Sequence, residues 1–155
     1  MNSKQSCIQH KQVPAKVTVY VDEGIKELVE VLNMIPGVCT LDSCEGSLSH
    51  WASVSLEYGV DYTNGDALDL HALTEFADKL WQVIKDAEFK GKVPAGTMEC
   101  ISLQIEWHPR YHPILLINVA KQYIPKLVSI LRPLCNDNRS NRQQSKCANL
   151  CENHR

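Results

Sequence analysis

Leu41-Asp42-Ser43-Cys44-Glu45-Gly46 gathers a thiol, a hydroxyl, two carboxylates and a glycine into one short polar stretch between two apolar runs. Chemistry is sought there first. Cys44 is the candidate nucleophile and His50 the nearest group for proton transfer, so these two are the candidate catalytic residues. Two adjacent carboxylates disfavour the thiolate that attack requires unless His50 or Lys121 offsets them. A packed or hydrogen-bonded structural thiol is the simpler reading of Cys44. Ser43, Cys44 and Gly46 can instead shape a ligand or cofactor cradle, because turn N–H groups beside helix starts suit a compact anion or a nucleotide-like ligand. Asp22, Glu23, Asp42 and Glu45 work against that by adding negative charge. No particular cofactor is indicated.

Zinc is a separate possibility of donor chemistry. Cys39, Cys44 and His50 carry suitable atoms, and Cys147, Cys151 and His154 carry three more, yet neither set has the paired C-x-x-C spacing of a zinc module. No metal ligand set is therefore assigned. His108 and His112 lie between Pro109 and Pro113 beside Tyr111, a composition that fits a stiff connection as well as it fits a pair of functional histidines. Lys85, Lys90 and Lys92 alternate with Asp86 and Glu88, which is how a solvated helix end reads.

The chain has 155 residues, of which 44% are hydrophobic, with a formal charge of −2. That length supports one domain with a core that needs neither disulfides nor a structural metal. A near-neutral charge gives no global footprint for nucleic acid, and no apolar run reaches the length of a membrane span. With no signal-like or membrane-length run the default address is the cytoplasm, and the seven scattered cysteines read as mostly reduced thiols.

Residues 1–14 read as a flexible leader, 15–135 as a single domain and 136–155 as a disordered polar tail. Lys16 to Val21 alternates with the two-residue period of a strand, and Asp22 is placed to cap a helix carried by Ile25, Leu28, Val29, Leu32 and Ile35 until Pro36-Gly37 stops it. Val38 to Asp42 and Trp51 to Tyr58 predict two further strands around the Cys44 stretch. A long helix runs from a cap at Asp66 through Leu70, Leu73, Ala77, Leu80, Trp81, Ile84 and Ala87. Thr97 to Trp107 predicts a strand with Ile101, Leu103, Ile105 and Trp107 inward, and the continuous apolar run Ile114 to Val119 predicts a central strand. Ile124, Leu127, Val128 and Leu131 mark the last helix, with Pro125 in its first turn.

The order β-α-β-β-α-β-β-α predicts a two-layer α+β domain, a mixed five-stranded sheet with three helices on one face. If every element runs the length of the sheet, the Cys44 stretch and the starts of the first and third helices share one end, and residues 108–112 lie at the other.

Asp22, Ile25, Leu28, Val29, Asn33, Thr40, Ser43, Cys44 and Gly46 follow a pattern that resembles the start of the tRNA wybutosine-synthesising methyltransferase family, with its acid-initiated helix, threonine-bearing strand and Ser-Cys-x-Gly turn. The segment is also similar to small uncharacterised bacterial and phage proteins in which such a turn precedes a histidine. The first resemblance implies an RNA-modifying methyltransferase relative using S-adenosylmethionine. Leu41-Asp42 and Ser47 depart from it where that family carries serines and a basic residue. The expected function is binding of a small anionic or nucleotide-like ligand at the Cys44 stretch. The alternatives are a non-catalytic interaction module and a zinc-binding protein.

Overall fold

A computed structural model describes residues 20–47, 50–59, 70–107 and 113–135. Four strands, β1 (Val38–Cys44), β2 (Ala52–Tyr58), β3 (Ile101–Trp107) and β4 (Pro113–Val119), form one sheet in the order β1-β2-β4-β3. Three helices, α1 (Lys26–Met34), α2 (Leu70–Phe89) and α3 (Ile124–Leu131), complete the described domain. The α+β class is as expected, but the mixed five-stranded sheet is corrected to a four-stranded antiparallel one among the described residues. Residues 16–19 of the anticipated first strand lie outside the described residues, and Tyr20 and Val21 belong to no strand. The leader, the tail, Asp66, His108 and His112 also lie outside them.

The sheet is purely antiparallel because of how α2 returns the chain. β2 and β3 run parallel to each other, as a strand–helix–strand crossover requires, but β4 inserts between them and pairs antiparallel with both. β4 is thereby the central strand that its apolar run predicted.

One face of the sheet is apolar and covered by helices. Ala52, Val54 and Leu56 of β2 stand opposite Val119, Ile117 and Leu115 of β4, and all six are buried. Ser53, Ser55 and Glu57 occupy the other face of β2 by alternation. On α1, Leu28, Val29, Val31 and Leu32 are buried while Lys26, Glu27, Glu30 and Asn33 are exposed, so the helix forms by burying one stripe. Leu73, Phe76, Leu80, Ile84 and Ala87 do the same for α2, and the Phe76 ring stacks on Tyr58 with centroids 4.2 Å apart. α3 buries five of its eight residues and packs against both other helices. Pro125 sits in its first turn, where no N–H is missed.

Among the described residues, no helix is long and apolar enough to cross a membrane.

Glu88, near the end of α2, organises the chain that leads into β3. Its two carboxylate oxygens accept the N–H of Gly96 at 2.9 Å and of Met98 at 2.7 Å. Those backbone donors hold the carboxyl below the usual glutamate range. A carboxyl lowered in the folded state stabilises it above the ordinary glutamate pKa, and that contribution is lost as the pH falls through the folded value. Glu88→Gln should therefore destabilise the protein at neutral pH and flatten the acid limb of its stability profile below about pH 4.5. Urea unfolding at several pH values tests this, and a variant whose difference from the parent stayed constant across that limb would refute the linkage.

Candidate functional site

Cys44 is not in a loop, as the sequence suggested, but is the last residue of β1, paired with Ser53 of β2. Its thiol is exposed and free. Ser43 stands opposite Val54 on the helix-covered face, whereas Cys44 opposite Ser53 lies on the other face. A single ligand touching both side chains would have to wrap around the end of the strand. His50 is exposed across the hairpin, where its Nδ1 lies 3.1 Å from Ser47 Oγ and its carbonyl accepts the Ser47 N–H at 2.9 Å. These contacts join His50 to Ser47, the local closure of a turn.

Gly46 has φ +70°, and a Cβ there would stand 2.5 Å from the His50 carbonyl oxygen and 2.6 Å from the Trp51 carbonyl carbon. The backbone of residues 50–52 packed there leaves nothing flexible to yield. The glycine is required by conformation and by space at once.

The end of the sheet that holds Cys44 also gathers the starts of α1 and α3, as the winding argument anticipated. Glu45 supplies the connection. One carboxylate oxygen accepts the Gly24 N–H at 2.9 Å, the other lies 3.4 Å from Lys121 Nζ, and the Glu45 N–H donates to Asp22 Oδ2 at 3.2 Å. A Cβ on Gly24 would collide with the Glu45 carboxylate, so Gly24 belongs to the same latch. Asp22 was expected to cap α1, but no side-chain cap bond forms there and its carboxylate serves the hairpin instead. The helix-start N–H and the cation that would attract a ligand anion are thus engaged by the chain's own Glu45.

Cys39, a candidate zinc donor, is buried on β1 opposite Glu57. Among the described residues, no group of three or more His, Cys, Asp and Glu side chains converges on one point. Cys147, Cys151 and His154 fall outside those residues.

The sheet's two edges differ sharply. On β1 the register shifts between Thr40 and Asp42, and the Asn33 amide reaches over from α1, accepting the Thr40 N–H at 3.0 Å and donating to Thr40 Oγ1 at 2.8 Å. A bulge and a side-chain cap are how natural edges resist pairing with other chains. Among the described residues β3 has neither: its seven residues pair with β4 in unbroken register, and it contains no lysine and no proline.

Nor is β3 covered along its length. Ile101 is buried and Leu103 half-buried, but Ile105 is 36% and Trp107 72% exposed, which corrects the expectation that all four face inward. They lie on the helix-facing side by alternation, and the described part of α2 leaves them exposed. Between α2 and β3 an open groove of about 620 Å³ remains, lined by Thr74, Ala77, Trp81, Ile101, Leu103 and Ile105 among others. Sequence periodicity missed this surface because it reports which side of a strand is apolar, not how far a helix extends over it. The polar Thr74 and Asp78, each next to an apolar position of the α2 stripe at Leu73 and Ala77, were the available signal.

Gly46→Ala should destabilise the domain by more than the roughly 0.5–1 kcal/mol that a glycine exchange ordinarily costs. Gly91, at φ +68° with nothing within 4 Å of a built Cβ, is the control for strain without collision. Gly91→Ala should be clearly the milder of the two by urea unfolding, and equal losses would mean that the hairpin yields to the added methyl.

No family model matches the chain, and no curated protein or solved structure matches it, so its geometry alone carries the functional reading.

Proposed function

We propose that this domain is a non-catalytic interaction module that takes an extended protein segment along the free edge of β3 and into the groove beside α2. The observation that carries this reading is the contrast between edges among the described residues: β1 is bulged and capped by Asn33, whereas β3 is regular, carries no such cap and bears the exposed Ile105 and Trp107. Unpaired main-chain groups on such an edge bind another strand by hydrogen bonding, and an adjacent apolar groove takes alternate side chains. The groove is suited to one or two aliphatic or aromatic residues spaced two apart.

Ligand binding at Ser43, Cys44, Gly46 and His50, with methyltransferase ancestry, is the competing reading. It is favoured by the exposed Cys44 thiol at the end of β1. An anion bound there would have to displace Glu45 from Gly24 and Lys121. Addition of S-adenosylmethionine or nucleotides at about 100 times a dissociation constant would stabilise a true binder by about 2.7 kcal/mol.

Panning the full chain against a library of displayed peptides separates the two. The selected peptides should alternate apolar and polar residues, and their binding should be lost in Ile105→Lys while surviving Cys44→Ser. Peptides without alternation, or binding indifferent to Ile105→Lys, would sink the β3 reading. A thermal shift with nucleotides that Cys44→Ser removes would install the other.

A further inference from the structure

Which strand β3 accepts is written in its own sequence. Resting on the reading of β3 as a strand-accepting edge, we infer that the occupant is a second copy of this chain, paired antiparallel through β3 about a two-fold axis at Gln104.

Ile101-Ser102-Leu103-Gln104-Ile105-Glu106-Trp107 is self-complementary in that register. Ile101 meets Trp107, Leu103 meets Ile105, Ser102 meets Glu106 and Gln104 meets Gln104. Every apolar residue of the helix-facing side finds an apolar one, and every polar residue of the open side a polar one, along all seven positions. Other registers are worse. Moving the axis to Glu106 sets the strand's one charged side chain against its twin, which repels, and moving it to Leu103 or Ile105 leaves residues unpaired at the strand ends. The axis at Gln104 instead separates the two Glu106 carboxylates by four residues, about 13 Å at about 3.3 Å per residue.

Shape complementarity follows from the same register. Trp107, 72% exposed, lies beyond the uncovered end of its own strand, while Ile101 and Leu103 help line the groove of about 620 Å³ together with Trp81. The two-fold brings each Trp107 beside the other copy's Ile101, so each copy offers an aromatic knob and receives one. This is an isologous contact, in which the patch is its own complement. Each copy contributes the four described strands, so the sheet continues into an eight-stranded one with the two grooves on the same face.

The test is sedimentation equilibrium of the full chain, combined with directed cross-linking. A concentration-dependent dimer is expected. Trp107→Ala should weaken it at least about tenfold, as truncation of an aromatic anchor does, and Ile105→Lys should leave a folded monomer, both residues being exposed. Opposed Cα atoms in an antiparallel pair lie about 4.5–5.5 Å apart, within the span a disulfide bridges. Oxidised Gln104→Cys should therefore link to itself across the axis. Ser102→Cys should link to Glu106→Cys in a mixture of the two variants, and not to itself. Peptide mapping distinguishes these links from those of the native cysteines. A chain that stays monomeric at its highest soluble concentration, or a dimer whose links show another register, overturns the inference. If β3 then still captured alternating peptides, strand acceptance would stand and only self-pairing would fail. Loss of both would overturn the two readings together.

Discussion

Ala52, Val54 and Leu56 on β2 face Val119, Ile117 and Leu115 on β4, and a slip of one residue between these strands would carry one of the two apolar sets to the opposite face. At about 25 cal/mol per Å² of apolar surface, burying side chains of this size contributes far more than any surface contact of the domain. The register of the two central strands is thereby settled, and the positions of everything attached to them follow. β1 hangs from β2 in a register that ends at Cys44, and β3 hangs from β4 in one that ends at Trp107. The polar end of the sheet and its exposed aromatic end are both consequences of one apolar match.

Local chemistry was legible in the chain where one residue type answers one local need. Gly46 is required by its positive φ and by the backbone packed beside it, and a tight polar turn announces such a need without knowledge of the fold. The stripes of α1 and α2 and the alternation of β2 are equally local, since a period of 3.6 or 2 names a buried face directly. Even the gathering of Gly24, Glu45 and Lys121 at one end could be anticipated from element lengths and simple reversal. Sheet order could not. That β4 enters between β2 and β3 depends on how α2 packs against α3 and the sheet, a contest among non-local contacts that no window of sequence contains. Asp22 was misread for the same reason: its competing acceptor role, toward the Glu45 N–H, comes from 23 residues away.

Edges impose a further constraint. An antiparallel sheet that does not close into a barrel has two, and each exposes a row of donors and acceptors. On β1 the domain spends Asn33 and a bulge at Leu41 to close that row, at the cost of helix propensity in α1 and of regular pairing. Among the described residues nothing similar is done at β3, where Gln104 and Glu106 stand in place of the lysines that commonly blunt an edge. The asymmetry is informative because both edges belong to the same sheet and face the same solvent.

The polar residues that first attract attention in this chain and the apolar ones at its free edge therefore stand in opposite energetic positions. Glu45, Asp22, Gly24 and Lys121 satisfy one another, and Ser47 and His50 do the same within their turn, so a ligand arriving there competes with bonds already formed. Displacing a charge-assisted bond costs roughly what a replacement returns, and the net gain is small. Trp107 and Ile105 are instead exposed apolar side chains. Covering them removes apolar surface from water at no cost in broken bonds, and pairing the β3 edge replaces water with a strand whose groups match it in spacing. Among the described residues, the end of β3 joins exposed apolar side chains to an edge strand, which the exposed Phe89 at the end of α2 does not.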